Sequence, residues 1–512
     1  MHHHHGHVHG PQPCNHAAGR ACRGCVGGGD ARGSVVAAAD SSSEPGPAHS
    51  AEPAAEAEPA SPSSNGGDGG PAQAARVFGG QDSEAARAAS VRQTEAEDAE
   101  LCKSFSVPQA VLDANALLVE DLRGELILAP LTRGNHGPFR AFCMKHGCRV
   151  TMSEMAFGKE LVKGIRGERA RLRRVEGEDM YGLQIATKTI AEGLAASALA
   201  KASGARWMDL NCGCPIHEAS RRGVGAIMLS KPAKLARLVN GIVRESELPL
   251  TVKIRLGESE RKINVERVTR LLKAAGAAAV IIHGRTMEQR YRKPASWDHI
   301  SAIAKSPDAM PVIGNGDVLT HYEARRRIDE SGCLAVMVGR GALIKPWIFR
   351  EFRDNAELPL DAAARVGMYR ELYGLMRAHF GDDEMGRKKA WYFAPWHHDF
   401  FHRYRSLPGS VYEQQSHEHA LIMTRTNQPY DLLLGETSLD ALDPIERLLR
   451  NESPDAHGAI AAALWDSPSD AECMAALGRL ADLDGPRWEA EARAGGERGG
   501  GRSPQREADE RG

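Results

Sequence analysis

Two thiols flank a glycine between Asn211 and Pro215, in the stretch MDLNCGCP that runs from Met208 to Pro215. A cysteine placed where an extended run meets a proline is held outward, because proline cannot continue strand pairing. Such a thiol suits proton transfer; the plain alternative is a small buried hydrophobe beside a turn. The glycine-rich run Arg222-Gly223-Val224-Gly225-Ala226 follows closely and reads as part of the same equipment. Further on, Lys253 interrupts the apolar run TVKI, and a charge there requires an anionic partner or a bound group. His283 and Arg285 end a later run. Two turns, Asn315-Gly316-Asp317 and Gly339-Arg340-Gly341, have the composition of a phosphate cradle made from backbone N–H groups.

Residues so widely scattered act together only if a fold brings them to one face. Eight short apolar runs supply it: Glu125–Ala129, Arg149–Ser153, Met180–Ala186, Arg206–Asn211, Pro249–Ile254, Ala278–His283, Pro311–Gly314 and Leu334–Gly339. Most are continuously aliphatic or β-branched, as strands buried on both faces are. Helix-like stretches separate them, among them Ile190–Gly204, Ala233–Ser246, Val265–Gly276 and His321–Ser331, several ending at glycine as helices do. The alternation predicts a (β/α)8 TIM barrel over residues 117–355; the even spacing of eight runs disfavours a doubly wound sheet. In this fold the active residues sit at the C-terminal strand ends. The runs then bring together Pro130 and Thr132, Gln184, Asn211 and Cys214, Lys253 and Arg255, His283 and Arg285, and the two glycine turns. A single Lys or His at a strand end is more often structural; the whole set on one rim reverses those odds.

After Trp347 the pattern changes. Residues 360–455 show no convincing strand and carry helix-period patches such as Val366, Tyr369, Leu372, Tyr373 and Met376, which predicts a separate, small all-α helical domain. Residues 1–100 are Ala, Gly, Ser, Pro and Glu with almost no aromatic residues, and residues 485–512 return to Gly, Arg and Glu. Neither tail has the apolar surface to offset its ordering entropy, so disorder is expected of both. The N-terminal MHHHHGHVHG with Cys14, His16, Cys22 and Cys25 fits no closed four-ligand zinc site, so no metal is assigned. A net charge of −2 excludes a globally basic nucleic-acid binder but leaves local basic patches open. Ten cysteines without paired spacing indicate a reducing compartment, and no apolar run approaches the roughly 20 residues of a membrane helix.

A flavin mononucleotide would meet the demands of both Lys253 and the glycine turns, having an electron-rich ring at one end and a phosphate at the other. The Gln184 amide could meet the ring edge with a donor and an acceptor. At this point the motifs carry a resemblance. DLNCGCP, TVKIR, IIHGRT, IGNGD and MVGRGA, in this order and spacing, resemble the tRNA-dihydrouridine synthase family from about Leu128 to Phe352. PLTRGNHGPFR, HGRTMEQRYRKPASW and RGALIKPWIF are similar to its eukaryotic branch, which acts at uridine 47. The resemblance implies an FMN enzyme that reduces the C5=C6 bond of a uridine in tRNA, with NADPH or NADH as reductant. It makes Cys214 the catalytic proton donor to C5; Cys212, two residues away, is expected from strand geometry to face the other side and is read as a packing residue. Pro130, Thr132, Gln184, Lys253 and His283 would contact the flavin, with Asn315, Gly316, Asp317, Gly339 and Arg340 at its ring and phosphate turns. Asn211 and Arg285 would lie beside the substrate. Arg222 stands where the family commonly has lysine, Cys14, Cys22 and Cys25 do not reproduce the zinc fingers of the branch, and Gly409 to Arg425 has no counterpart.

Basic clusters point to the RNA partner. Lys159, Lys163, Arg166, Arg169, Arg171, Arg173 and Arg174 follow the second run; Arg285, Arg290, Arg292 and Lys293 follow the sixth, with Tyr291 and Trp297 between and after them. In the helical region Arg387, Lys388 and Lys389 precede Trp391, Tyr392, Trp396, Arg403 and Arg405. Each cluster alone is more often a solvated face; two of them at the mouth beside Cys214 favour phosphate contacts and stacking on an unpaired base. A tRNA partner points to an intracellular protein of cytoplasm or nucleus, with organellar targeting left open and no membrane or protein partner inferred. The competing readings are an FMN barrel that reduces free pyrimidines or small enones, and a catalytically silent RNA-binding protein on the same scaffold.

Overall fold

A computed structural model describes residues 80–423 and 441–497 of the chain. Its nine strands are β1 (Leu126–Leu128), β2 (Val150–Met152), β3 (Ala156–Phe157), β4 (Met180–Ala186), β5 (Trp207–Cys212), β6 (Leu250–Arg255), β7 (Ala279–His283), β8 (Val312–Asn315) and β9 (Ala335–Val338). All pair in parallel. β1 lies between β9 and β2, β2 pairs with β4, and from β4 each strand pairs with the next through β9, so eight strands close into a barrel. β3 is a short addition beside the end of β4. Each expected run overlaps one barrel strand, β5, β6 and β8 ending one residue later than expected, and the four expected helices are present, His321–Ser331 with the predicted bounds and a capping box at Thr320 and Glu323.

The barrel interior changes character along its axis. At the N-terminal end Ile127, Val150, Met152, Trp207, Ile281, Ile313 and Met337 form one apolar cluster, closed by Leu118 and Leu122 of the helix Gln109–Leu122. Gly182 makes room for the Trp207 indole: a Cβ there would collide with the ring. Toward the C-terminal end the same alternation brings polar side chains inward. The register pairs Gln184 with Asp209, Asn211 with Lys253, and His283 with Asn315. Outward positions such as Leu183, Leu210, Val252, Ile254 and Ile282 join the larger core under the surrounding helices.

Among the described residues the elements after Ile348 are all helices, and the expected stripe Val366, Tyr369, Leu372, Tyr373 and Met376 is buried on the helix Ala362–Phe380. This region does not stand apart from the barrel. It shares the barrel's outer core, and the His397 ring stacks 4.8 Å from Phe139, a residue of the helix that follows β1. Two helices run where disorder was expected. Gly80–Ser104 docks through Asp98, which pairs with Arg267 at 2.7 Å and Arg270 at 3.3 Å, and Gly485–Glu497 docks through buried Trp488 and an Arg447–Glu489 ion pair. Tail composition does not reveal a few docking residues of this kind. Residues 1–79, which include Cys14, His16, Cys22 and Cys25, and residues 498–512 lie outside the described residues. Among the described residues no helix is long and apolar enough to cross a membrane, and no cluster of His, Cys, Asp and Glu could hold a metal ion.

Candidate active site

The site is built from the strand ends. Pro130 and Thr132, Gln184, Asn211 and Cys214, Lys253, His283 and Arg285, Asn315, Gly316 and Asp317, and Gly339 and Arg340 all border one cavity at the C-terminal mouth of the barrel. The two cysteines part there. Strict alternation would put residues two apart on one side, but β5 ends at Cys212 and the chain turns at Gly213. Cys212 therefore stays fully buried in the outer core, while half-buried Cys214 opens on the cavity.

Backbone bonds fix the position of Cys214. Its N–H donates to Asn211 Oδ1 at 2.9 Å, and its carbonyl accepts from the Ala226 N–H at 2.9 Å. Gly225 is required for the second contact, since a Cβ there would lie 2.6 Å from the Cys214 oxygen and the residue has φ +77°. That accounts for the glycine-rich run. Burial, partly offset by the Ile216 backbone and by Arg255 and Lys253, raises the thiol above its ordinary range, so Cys214 carries its proton at neutral pH.

Beside the thiol lies a polar layer. Lys253 Nζ donates to Asn315 Oδ1 at 3.0 Å, and Asn315 Nδ2 donates to the Met337 carbonyl at 2.8 Å. Burial drives Lys253 down to about 8; neighbouring Arg255 adds to the effect and Asp209 opposes it. Gln184, expected to offer both donor and acceptor to a ligand, is largely committed: Nε2 donates to Asp209 at 2.8 Å and Oε1 accepts from Asn211 Nδ2 at 2.8 Å. One N–H of each amide remains.

At the far side Asp317, at φ +50°, accepts from Arg285 Nη2 at 2.6 and 2.7 Å, from Arg340 at 3.0 Å and from the Ala295 N–H at 2.7 Å. Arg285 is fully buried, and it also donates to the Lys293 carbonyl at 2.6 Å and to His283 Nε2 at 3.1 Å. It therefore borders the cavity as a brace. His283 is the acceptor in that pair and so is neutral, in keeping with burial and flanking cations that hold it well below its ordinary range. Tyr291 lies beneath the Arg340 guanidinium, 4.2 Å from its ring centre. Both glycine turns are sterically required: Gly316 has φ +137° and a Cβ there would lie 2.5 Å from Ala295 Cβ, while a Cβ on Gly341 would run into the Val318 carbonyl.

Several wall residues were not singled out from sequence. Asp209 and Thr251 lie in the polar layer, and their signal was available: each stands two residues before an expected site residue, inside an otherwise apolar run. Trp396 and Phe400 reach the cavity from the helix Ala394–Phe401, as does Ile422 from the unplaced segment after Gly409. Trp396 was expected in an RNA-facing basic and aromatic cluster and instead walls the cavity, while no local pattern marks Phe400 or Ile422. The basic clusters divide. Arg387 pairs with Asp466 through bonds of 2.7 and 2.8 Å and so braces the helical region. Outside those clusters, Arg222 of the glycine-rich run joins Glu218 and Glu160 and lies over Phe157, which ties loops together.

Fold and site together define a class, a (β/α)8-barrel protein whose ligand cavity lies at the C-terminal mouth, walled on one side by added helices. The dihydrouridine synthase family model matches residues 127–421, and the chain belongs to that family. The human protein named "tRNA-dihydrouridine(47) synthase [NAD(P)(+)]-like" is 35% identical over 272 residues, which cover 52% of this chain and 41% of that one. The tRNA-dihydrouridine(47) synthase of Cryptococcus neoformans is 37% identical over 297 residues, covering 55% and 41%, and an Oryza sativa relative is 35% identical over 280, covering 53% and 40%. The chain thus spans about two fifths of the length of these curated relatives.

Proposed function

We propose that the chain reduces a uridine of tRNA to dihydrouridine with FMN as its resident cofactor. The observation that carries the reading is a protonated, half-buried thiol opening on the same cavity as Lys253 and two turns that only glycine can make. These residues fit a flavin nucleotide. Lys253, Gln184, His283, Pro130 and Thr132 would surround the ring, and Asn315, Gly316, Asp317, Gly339 and Arg340 its ring-edge and phosphate contacts. When bound, the reduced flavin supplies a hydride to C6 of the base and is recharged by NADPH or NADH.

The protein's own residues do the rest. Cys214 holds a proton on Sγ and gives it to C5 as the C5=C6 double bond becomes single; the thiolate is reprotonated from solvent. Asn211 holds the Cys214 backbone and would lie beside the base. Arg285 acts through Asp317 and His283, orienting the turn rather than meeting the substrate. The base must be turned out of the tRNA fold to reach this depth, and the barrel-mouth loops bearing Lys159, Arg166, Arg292 and Lys293 would take its phosphates, with the helical region contributing further contacts. A tRNA substrate would place the protein inside the cell.

A barrel acting on free pyrimidines has less support, because it leaves the basic loops and the Trp396–Phe400 wall without a role. The deciding experiment is mass spectrometry of nucleosides from tRNA of cells lacking the protein, mapped by site. Dihydrouridine should fall at one position; unchanged levels at every position would refute the proposal, and purified protein without flavin absorbance would refute both reductase readings.

A further inference from the structure

Asp209 takes no part in the chemistry above, yet it lies fully buried in the barrel at the head of an ordered chain of hydrogen bonds. Thr251 Oγ1 donates to its Oδ1 at 2.6 Å and Gln184 Nε2 to its Oδ2 at 2.8 Å. Gln184 Oε1 then accepts from Asn211 Nδ2 at 2.8 Å, and Asn211 Oδ1 accepts the N–H groups of Gly213 at 3.2 Å and Cys214 at 2.9 Å. Burial raises Asp209 to about 7, so above neutral pH the group is an ionised carboxylate, which can only accept. It therefore dictates which end of the Gln184 amide faces it, which dictates the Asn211 amide, which must then turn its oxygen to the thiol-bearing turn. An inverted Asn211 would set NH2 against two backbone N–H groups. Gln184 and Asn211 are themselves almost fully buried, so water does not readily substitute for a wrong orientation.

We propose that Asp209 is a positioning residue that fixes the polarity of the Gln184–Asn211 relay and thereby seats Cys214. Only the use of that seat, proton delivery, rests on the proposed function; the seating itself is read without any turnover. The test follows the rate at which iodoacetamide labels Cys214, by peptide mass spectrometry of the full chain, together with hydrogen exchange at the Gly213–Cys214 amides.

Asp209→Asn alone leaves the relay intact, because the Thr251 hydroxyl can turn to accept from the new amide. Asp209→Asn with Thr251→Val removes that option while keeping side-chain shape, so the relay loses its polarity; labelling of Cys214 should rise about tenfold and amide exchange with it. Adding Gln184→Glu puts an acceptor-only group one step down the chain and should bring both readouts back to within about twofold of the wild type. A role in packing predicts no such rescue, and a role of bulk charge predicts that Asp209→Asn alone, which already lacks the charge, loosens Cys214. A double variant that labels like the wild type, or a triple variant that stays loosened, overturns the proposal. Should the double variant not fold, Asn211→Ala removes the last acceptor and must expose Cys214 in the same way; an unchanged rate would equally overturn it.

Discussion

Replacing Lys253 by methionine should stabilise the ligand-free protein at neutral pH. The ammonium group has one bonded side-chain partner, the Asn315 carbonyl, and burial brings it down from an ordinary 10.5 to about 8. At about 1.4 kcal/mol per pKa unit, confining the charged form costs about 3 kcal/mol; loss of the Asn315 bond takes back about 1, leaving a net gain of about 2 kcal/mol. The sign follows from linkage. With a depressed lysine the unfolded chain binds more protons between about 8 and 10.5, so the penalty is fully present below 8 and disappears as pH rises through that window. Thermal unfolding of flavin-stripped wild type and Lys253→Met, compared at pH 7 and pH 10, should show the variant a few degrees higher at pH 7 and nearly level at pH 10. Excess FMN should narrow or reverse the order at pH 7, since only the wild type gains a partner for its charge. A variant less stable than wild type at pH 7, or a difference that ignores pH, would refute the idea that this charge waits for a ligand.

Cys214→Ala should keep its flavin absorbance but lose at least about 100-fold in turnover on tRNA, the usual scale for a general acid; wild-type turnover would remove Cys214 from that role. Gly316→Ala, forced into φ +137° and against Ala295, should purify with little or no flavin, which absorbance at 450 nm reads directly. Asp98→Ala should free the helix Gly80–Ser104 at a cost of about 1–3 kcal/mol, seen as faster proteolysis there with barrel unfolding little changed. Because Arg267 above all holds the Asp98 carboxyl below its ordinary 3.8, that docking should persist above this value and fail as pH falls beneath it.

The barrel was legible because each parallel strand is buried on both faces and so reads as an unbroken apolar run, and because a polar residue in such a run marks an inward position near the mouth. Lys253 in TVKI is the clearest case. Asp209 and Thr251 carry the same mark, yet neither is of a type that resembles a reacting group. That Trp396, Phe400 and Ile422 wall the cavity is not legible for a different reason: their place depends on how distant helices dock, which no local period encodes. The two terminal helices escaped for a related reason, with Asp98 and Trp488 each anchoring a segment whose composition otherwise looks unstructured. Gln184 borders the cavity, but its amide has less free hydrogen-bonding capacity than its position suggests, because Asp209 and Asn211 occupy both ends.

The charge of the cavity narrows what it can hold. Lys253, Arg255, Arg285 and Arg340 border it, and against these four cations stand Asp317 in the wall and Asp209 in the layer behind Gln184. His283 is neutral and adds nothing. Two positive charges are thus in excess even with both carboxylates ionised, and burial raises Asp209 to about 7, so the excess grows as pH falls through neutrality. A phosphate monoester carries about 1.5 to 2 negative charges at pH 7, close to the balance the site requires. An uncharged ring bound without such a phosphate would leave the cations uncompensated in a largely buried space, where unpaired charge is most costly. The same arithmetic favours a mononucleotide cofactor over an uncharged ring.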